Sequence, residues 1–194
     1  MHRNWISPLF VTLLGLSLRL SAQSVVISEM MYEPPGGSAY AEAEYIELFN
    51  PGSLPMDLSG ASFSAGIVFT FPSPFFLQAK ARAVICRNPA LFKSRYGAVP
   101  GLVPGSYSGA LNNGGESVIL GAFNGTLLAQ IKYGIDGGWP VRPAGNGGSL
   151  EIIDPAGDSG AASNWRASTE YLGSPGLAGA GPQNRVVINE LLTH

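Results

Sequence analysis

The sequence predicts an all-β protein, a two-layer antiparallel sandwich with one short connecting helix. Short runs of alternating apolar and polar residues recur along the chain, and this period is that of a strand. The 26 glycines and 15 prolines among 194 residues supply turns between such strands. Once an N-terminal leader is set aside, about 172 residues remain, enough for one domain with one hydrophobic core.

The leader is predicted to be a secretory signal peptide over residues 1–22. It has a basic start, an apolar run that ends at Arg19, and small residues before a cleavage point after Ala22, with Ser24 as a second choice. The apolar run is shorter than the roughly 20 residues that span a membrane. An uncleaved anchor is the alternative. We therefore expect a secreted or cell-surface protein.

The charge balance of the remaining chain indicates which partners to expect. The leader contains two of the eleven basic residues, which leaves nine basic against thirteen acidic residues without any basic run. A surface of this kind does not suit a phosphate backbone, so no nucleic-acid partner is expected. The single cysteine, Cys86, lies in an apolar run and is predicted to be a small buried side chain of a strand.

Seven runs carry the strand pattern. In the second, Tyr45, Glu47 and Phe49 alternate with Ile46 and Leu48, so that one face can pack in a core while the other carries the acid. The runs are VVISEMMY (25–32), EYIELFN (44–50), GIVFTF (66–71), RAVICR (82–87), ESVILGA (116–122), LLAQIKYG (127–134) and GSLEIID (148–154).

Connections between these runs carry their own signals. Asn88 as N-cap, Pro89 as the first helical residue and Gly97 as the end predict a short helix. The pair Asn-Gly within residues 123–126 predicts a hairpin with a tight two-residue connection. Residues 177–185 lack apolar periodicity and predict a flexible Gly/Pro linker.

The chain repeats its own opening. VVISEMM at residues 25–31 and VVINELL at residues 186–192 agree at five of seven positions, identically or nearly so. Residues 186–194 are therefore predicted to be the first strand of a second, truncated repeat.

The order of the motifs resembles the bacterial lamin-tail domains. The elements that carry the resemblance are VVISEMMYEP, EYIELFNPGSLPMDLSG, FTF, AVICRNPALFKSRYG, LNNGGESVILGAFNG, SLEIIDP, ASNWRAS and SPG. The resemblance implies an immunoglobulin-like sandwich over residues 23–176 within a larger multidomain protein. It also marks Glu29, Glu47, Asn50, Asp57 and Trp165 as residues of the structural motif.

Histidine usage excludes most hydrolase designs. The only two histidines are His2, in the leader, and His194, at the last position. The body of the domain therefore lacks the base of a Ser-His-Asp or Cys-His arrangement and the histidine ligands of a zinc site. We expect a protein that is not an enzyme.

Carboxylates remain as candidate functional groups. Glu29 and Glu47 can approach across neighbouring strands, whereas Glu44 and Glu47 point to opposite faces of one strand. Glu47 and Asp57 are predicted to hold loops by accepting backbone amide hydrogen bonds. The alternative is a calcium site built from Asp136, Asp154, Asp158 and nearby carbonyls.

Aromatic residues offer the other candidate site. Trp139 and Tyr133 are the candidate ligand contacts, and with Trp165 and Tyr171 they would stack on sugar rings if exposed in a row. Trp165 is predicted to fill the bottom of the sandwich instead. The expected function is interaction, adhesion or domain spacing, and the alternative is a carbohydrate- or calcium-assisted ligand-binding module accessory to a catalytic domain.

Overall fold

The computed structural model describes residues 24–182 as one short α-helix, two 3-10 turns and twelve strands. The predicted signal peptide and the predicted strand of a second repeat lie outside the described residues. The strands are β1 (Val26–Met31), β2 (Tyr45–Phe49), β3 (Met56–Asp57), β4 (Ser62–Ala65), β5 (Ile67–Val68), β6 (Phe76–Leu77), β7 (Arg82–Cys86), β8 (Ser108–Gly109), β9 (Ser117–Gly121), β10 (Leu127–Lys132), β11 (Leu150–Ile152) and β12 (Trp165–Ala167).

The strands form two principal antiparallel sheets. The larger has the order β12-β11-β1-β2-β7 and the smaller has the order β10-β9-β4. Two further pairs of strands, β3 with β6 and β5 with β8, form separate two-stranded sheets. The predicted all-β sandwich is confirmed, and each of the seven predicted runs contains a strand, although the run 66–71 contains only two strand residues. The short strands β3, β4, β6, β8 and β12 were not predicted, because elements of two to four residues are too brief to show a period.

The main core lies between the two sheets and follows the predicted alternation. Ile46 and Leu48 are fully buried in it, with Val118 and Leu120 of the smaller sheet among its members. The other face of the larger sheet is covered as well, so the glutamate of β2 is not solvent-exposed. Both faces of β2 are therefore buried, which explains why YIELF is apolar at every position but one.

A second, smaller core lies on the outer face of the larger sheet. Its buried members are Met31, Tyr45, Val84, Cys86 and Phe92. Cys86 is a free thiol within it, and burial raises the pKa of that thiol to about 11. The predicted burial of Cys86 is thereby explained: the thiol packs as a small hydrophobic group.

The helix α1 (Pro89–Tyr96) covers this second core and begins where the sequence predicts. The side-chain oxygen of Asn88 accepts a hydrogen bond from the backbone N–H of Leu91 at 3.1 Å, and Gly97 ends the helix. No helix among residues 24–182 is long and apolar enough to cross a membrane.

The hairpin between β9 and β10 has a different connection from the predicted one. The N–H of Ala122 donates to the carbonyl of Thr126, which leaves a loop of three residues, and Gly125 alone takes a positive φ, +83°. Asn124 keeps a negative φ while its side chain accepts from the N–H of Thr126 at 3.0 Å. The two-residue prediction was wrong because the register shifts just beyond the turn, between Leu127 and Ala129.

Candidate functional site

Three glutamates lie side by side on the outer face of the larger sheet. Glu47 on β2, Glu29 on β1 and Glu151 on β11 are direct partners in the strand register, with Glu29 in the middle. All three are buried, with exposures between 1% and 4%. We call this row the carboxylate ladder. The sequence predicted that Glu29 and Glu47 approach one another, and the pairing of β1 with β2 makes them neighbours.

Glu151 was missed because nothing local in a sequence shows that β11 pairs with β1. One signal existed: each of the three glutamates is a single acid inside an apolar strand, in ISEMM, YIELF and SLEII. An ionised side chain between apolar neighbours is rarely left in a buried strand unless it is paired.

Arginines pair with the two outer carboxylates. Arg82 of β7 donates from Nε to Oε1 of Glu47 at 2.9 Å, and Arg166 of β12 donates from Nε to Oε2 of Glu151 at 3.1 Å. The guanidinium of Arg82 also lies 4.4 Å from the centroid of the Phe49 ring, which fixes its plane. Within the described part of the chain, Glu29 has no cationic partner of this kind.

A C-terminal strap, residues 173–180, crosses the ladder and supplies the remaining donors. The backbone N–H of Ser174 donates to Oε1 of Glu29 and the N–H of Gly176 donates to Oε2 of Glu47, each at 2.8 Å. The Ser174 hydroxyl donates to Glu151 Oε1 at 3.2 Å. The N–H of Ala180 donates to the carboxylate of Glu170 at 2.8 Å. Residues 177–180, predicted to begin a flexible linker, therefore pack against the domain.

Glycines in the strap are explained by close approach to the ladder. Gly173 has φ +81°, and a Cβ at this position would overlap the Tyr45 hydroxyl and the carboxylate of Glu29. A Cβ at Gly179 would overlap the carboxylate of Glu151. The same composition that predicts mobility in a sequence therefore permits backbone contact with buried acids here.

Burial controls the protonation of Glu29 and Glu47. Desolvation raises the pKa of Glu29 from 4.5 to about 7, and the negative charge of Glu47 adds to the rise. Hydrogen bonds from Ser149 (2.5 Å), Ser174 and the Tyr45 hydroxyl (2.8 Å) oppose it. Burial also raises the pKa of Glu47, against the opposing bonds from Ser28 and Arg82. Glu29 therefore exchanges a proton near neutral pH.

Two other predicted motif residues hold turns. Asn50 is fully buried, and its side-chain NH₂ donates to the carbonyls of Leu77 at 3.0 Å and Gln78 at 3.1 Å. The Asp57 side chain accepts from the N–H of Ser59 at 2.9 Å, and hydrogen bonding to Ser59 holds the pKa of Asp57 below its ordinary value.

The predicted aromatic row is not assembled on the surface. Tyr133 is only 3% exposed, its hydroxyl donates to the carbonyl of Asn112 at 2.7 Å, and its ring lies 4.8 Å from that of Tyr32. Trp165 is 4% exposed, and Trp139 packs half-buried beside it with ring centroids 6.3 Å apart. Tyr133 is not exposed for stacking as predicted, because the alternation of β10 continues into it from the buried Ile131.

Two of the three predicted calcium ligands, Asp154 and Asp158, cap local turns. Asp154 accepts from the N–H of Ala156 at 2.9 Å, and Asp158 accepts from the N–H of Gly160 at 2.8 Å. Over residues 24–182, no group of three or more His, Cys, Asp or Glu side chains is arranged to hold a metal ion.

The fold and the site together define a class, an immunoglobulin-like β-sandwich whose buried polar groups tie its own elements together. The sequence profile of the Lamin Tail Domain family matches residues 20–134, more than half of the chain, and the protein belongs to that family. Comparison with curated proteins gives no match. The matched stretch contains Glu29 and Glu47, whereas Glu151 and the strap, which complete the ladder, follow it.

Replacing Glu29 by Gln should change how stability depends on pH. The folded-state pKa of about 7 exceeds the ordinary 4.5, so the folded protein holds this proton more tightly than the unfolded chain. The resulting stability is present below pH 4.5 and is lost as pH rises through about 7. Gln resembles the protonated acid, so Glu29→Gln should be more stable than wild type at pH 8, with a flatter profile between these pH values.

Urea denaturation across this pH range measures the effect, with the exposed Asp136→Asn as the matched control. The control should keep the wild-type profile. If the stability of Glu29→Gln fell with rising pH as steeply as that of wild type, the titration of Glu29 would not explain the pH dependence.

Replacing Gly173 by Ala should displace the strap. Gly125→Ala is the control, because Gly125 has nearly the same φ but a Cβ added there would have nothing within 4 Å. The control should lose roughly 1–2 kcal/mol of stability, the ordinary strain of a left-handed alanine. Gly173→Ala should lose more, and hydrogen exchange at the amides of Ser174 and Gly176 should accelerate in that variant alone. Equal losses and unchanged exchange would contradict the strap's contact with the ladder.

Proposed function

We propose that this protein is an exported, non-catalytic module that acts in protein interaction, adhesion or domain spacing within a larger multidomain protein. Membership of the Lamin Tail Domain family supports an interaction module of immunoglobulin-like fold. The predicted leader supports export to the cell surface or the medium.

The observation that carries the spacing role is the strap. Residues 173–180 are held in a fixed place against the domain, because Ser174, Gly176 and Ala180 are bonded to buried or partly buried carboxylates. Gly181 then lies beside the guanidinium of Arg166, at the edge of the larger sheet. A following unit, such as the second repeat proposed to begin at residue 186, would leave the domain from a defined point and be separated from it by only a few residues.

The alternative is a ligand-binding module, with carbohydrate or calcium, accessory to a catalytic domain elsewhere in the protein. Its predicted aromatic platform is lost with the burial of Tyr133 and Trp165. The specific observation that favours ligand binding is a cavity in a different place, between the loop after β1 and the start of β2.

Spin labels test the spacing role. Labels at Thr126→Cys, on the hairpin of the smaller sheet, and at Pro182→Cys, just beyond the strap, should give a narrow distance distribution by double electron–electron resonance. Cys86 is buried, and its raised thiol pKa of about 11 keeps it from competing for the label.

Adding Gly173→Ala should broaden this distribution, whereas Gly137→Ala, whose Cβ would meet nothing, should not. A broad distribution already present in the doubly labelled parent would refute a fixed exit point.

Export has a separate test. The protein, expressed with its leader in a bacterial host, should be recovered from the periplasm or the medium with Gln23 as its first residue, because cleavage is predicted after Ala22. Recovery from the membrane fraction with residues 1–22 retained would contradict cleavage and show that the leader is a membrane anchor.

A further inference from the structure

A cavity of about 310 Å³ lies at the end of the sandwich where β1 ends and β2 begins, away from the carboxylate ladder. One wall is the loop that follows Tyr32, and this loop is anchored to α1. Arg95 donates from its guanidinium to the carbonyl of Pro35 at 2.6 Å and lies 4.0 Å from the centroid of the Tyr40 ring. Arg95 therefore fixes this loop, and with it one wall of the cavity, against α1.

Three polar side chains in the wall have no protein partner in the described structure. The Tyr32 hydroxyl is buried on a residue that is only 1% exposed, and it makes no hydrogen bond. Glu33 is half-buried and Asn113 is exposed, and neither side chain makes a hydrogen bond to the protein within residues 24–182. All three residues line the same cavity.

Glu44, a fourth polar residue of the wall, shows the contrast. Its carboxylate accepts from Arg87 at 3.1 Å, from the Tyr107 hydroxyl at 3.1 Å and from the N–H of Leu111 at 3.0 Å. Its bonding capacity is used and its charge is paired. Buried polar groups are nearly always satisfied in this way, and an unsatisfied one costs about 1–3 kcal/mol, so the Tyr32 hydroxyl requires an explanation.

The unpaired groups indicate the chemistry of a ligand. A carboxylate only accepts, whereas a phenol and a carboxamide both donate and accept. Glu33, the one wall carboxylate without an ion pair among the described residues, disfavours an anion. An amine cation only donates, so it would leave the O–H of Tyr32 and the NH₂ of Asn113 without an acceptor. A ring that carries several neutral hydroxyls satisfies all three, and the buried Pro34 and Pro35 offer apolar surface to its C–H groups.

We propose that this cavity binds a neutral sugar, one monosaccharide unit, through Glu33, Asn113 and the unpartnered hydroxyl of Tyr32. The volume lies at the lower end of the range for small-molecule sites, about 300–1,000 Å³. This inference gives the ligand-binding alternative a site, and it is independent of the strap and of the spacing role.

The first test is a titration of the isotope-labelled full chain followed by NMR. The probes are glucose, galactose, mannose, xylose and N-acetylglucosamine, with methylammonium and inorganic phosphate as competing chemistries. At least one sugar should shift the amide resonances of Glu33, Gly37, Asn113 and Gly145, and the two ions should not. Silence with all five sugars, or shifts with methylammonium instead, would overturn the proposal.

Variants then separate binding from folding. Glu33→Gln and Asn113→Ala should each weaken the sugar about tenfold, since a hydrogen bond to a ligand is typically worth about 1–2 kcal/mol. Tyr32→Phe keeps the ring in the core and removes the unsatisfied hydroxyl, so it should weaken the sugar without lowering the melting temperature. Asp136→Asn, in a loop that does not line the cavity, is the control and should bind as wild type. Unchanged affinity in the three cavity variants would place the sugar elsewhere and defeat the assignment.

Discussion

The larger sheet buries three neighbouring carboxylates on one face, so its stability depends on the donors that replace their lost water. Each ion taken from water into a protein costs several kcal/mol unless donors replace its hydration, and neighbouring like charges add to this cost. One arginine from a flanking strand offsets this cost for Glu47, and another does so for Glu151. Glu29, between them, has hydroxyl and amide donors and a raised pKa. The strand order β12-β11-β1-β2-β7 therefore places a cation at both ends of a row of acids.

The strap is required by the same arrangement. Without it, the amide donors of Ser174 and Gly176 would be lost, and Glu29 and Glu47 would need water or a proton in their place. The Tyr45 hydroxyl links the strap's end of the sheet to the aromatic core beneath α1, because it donates to Glu29 while its ring packs edge-on against Phe92. The outer face of the larger sheet is therefore one continuous buried layer. Its side chains are polar in the carboxylate ladder and apolar under the helix.

The sequence predicts those parts of this structure that local patterns encode. The alternation of YIELF places the acid opposite the core residues, and Asn88, Pro89 and Gly97 delimit the helix. The third member of the ladder depends on the pairing of β1 with β11, about 120 residues apart, which no local pattern specifies. The burial of Tyr133 could have been predicted from the local pattern, since Ala129, Ile131 and Tyr133 occupy alternate positions and all are buried. The predicted flexible linker includes Gly179 because composition does not distinguish a loose chain from a chain in close contact.

The repeat VVINELL gives the ladder a consequence for a longer protein. Its Glu190 corresponds to Glu29, and Asn189 corresponds to Ser28, whose hydroxyl donates to Glu47 at 2.6 Å. A domain that opens with this strand would bring its own central carboxylate and would need its own flanking acids, arginines and strap. Only nine residues separate Gly176, which bonds to the first ladder, from Val186, which opens the repeat. If a second domain begins at Val186, as proposed, the segment that completes the charge balance of one domain is joined to the start of the next, and seating the strap would then restrict the distance between the two domains.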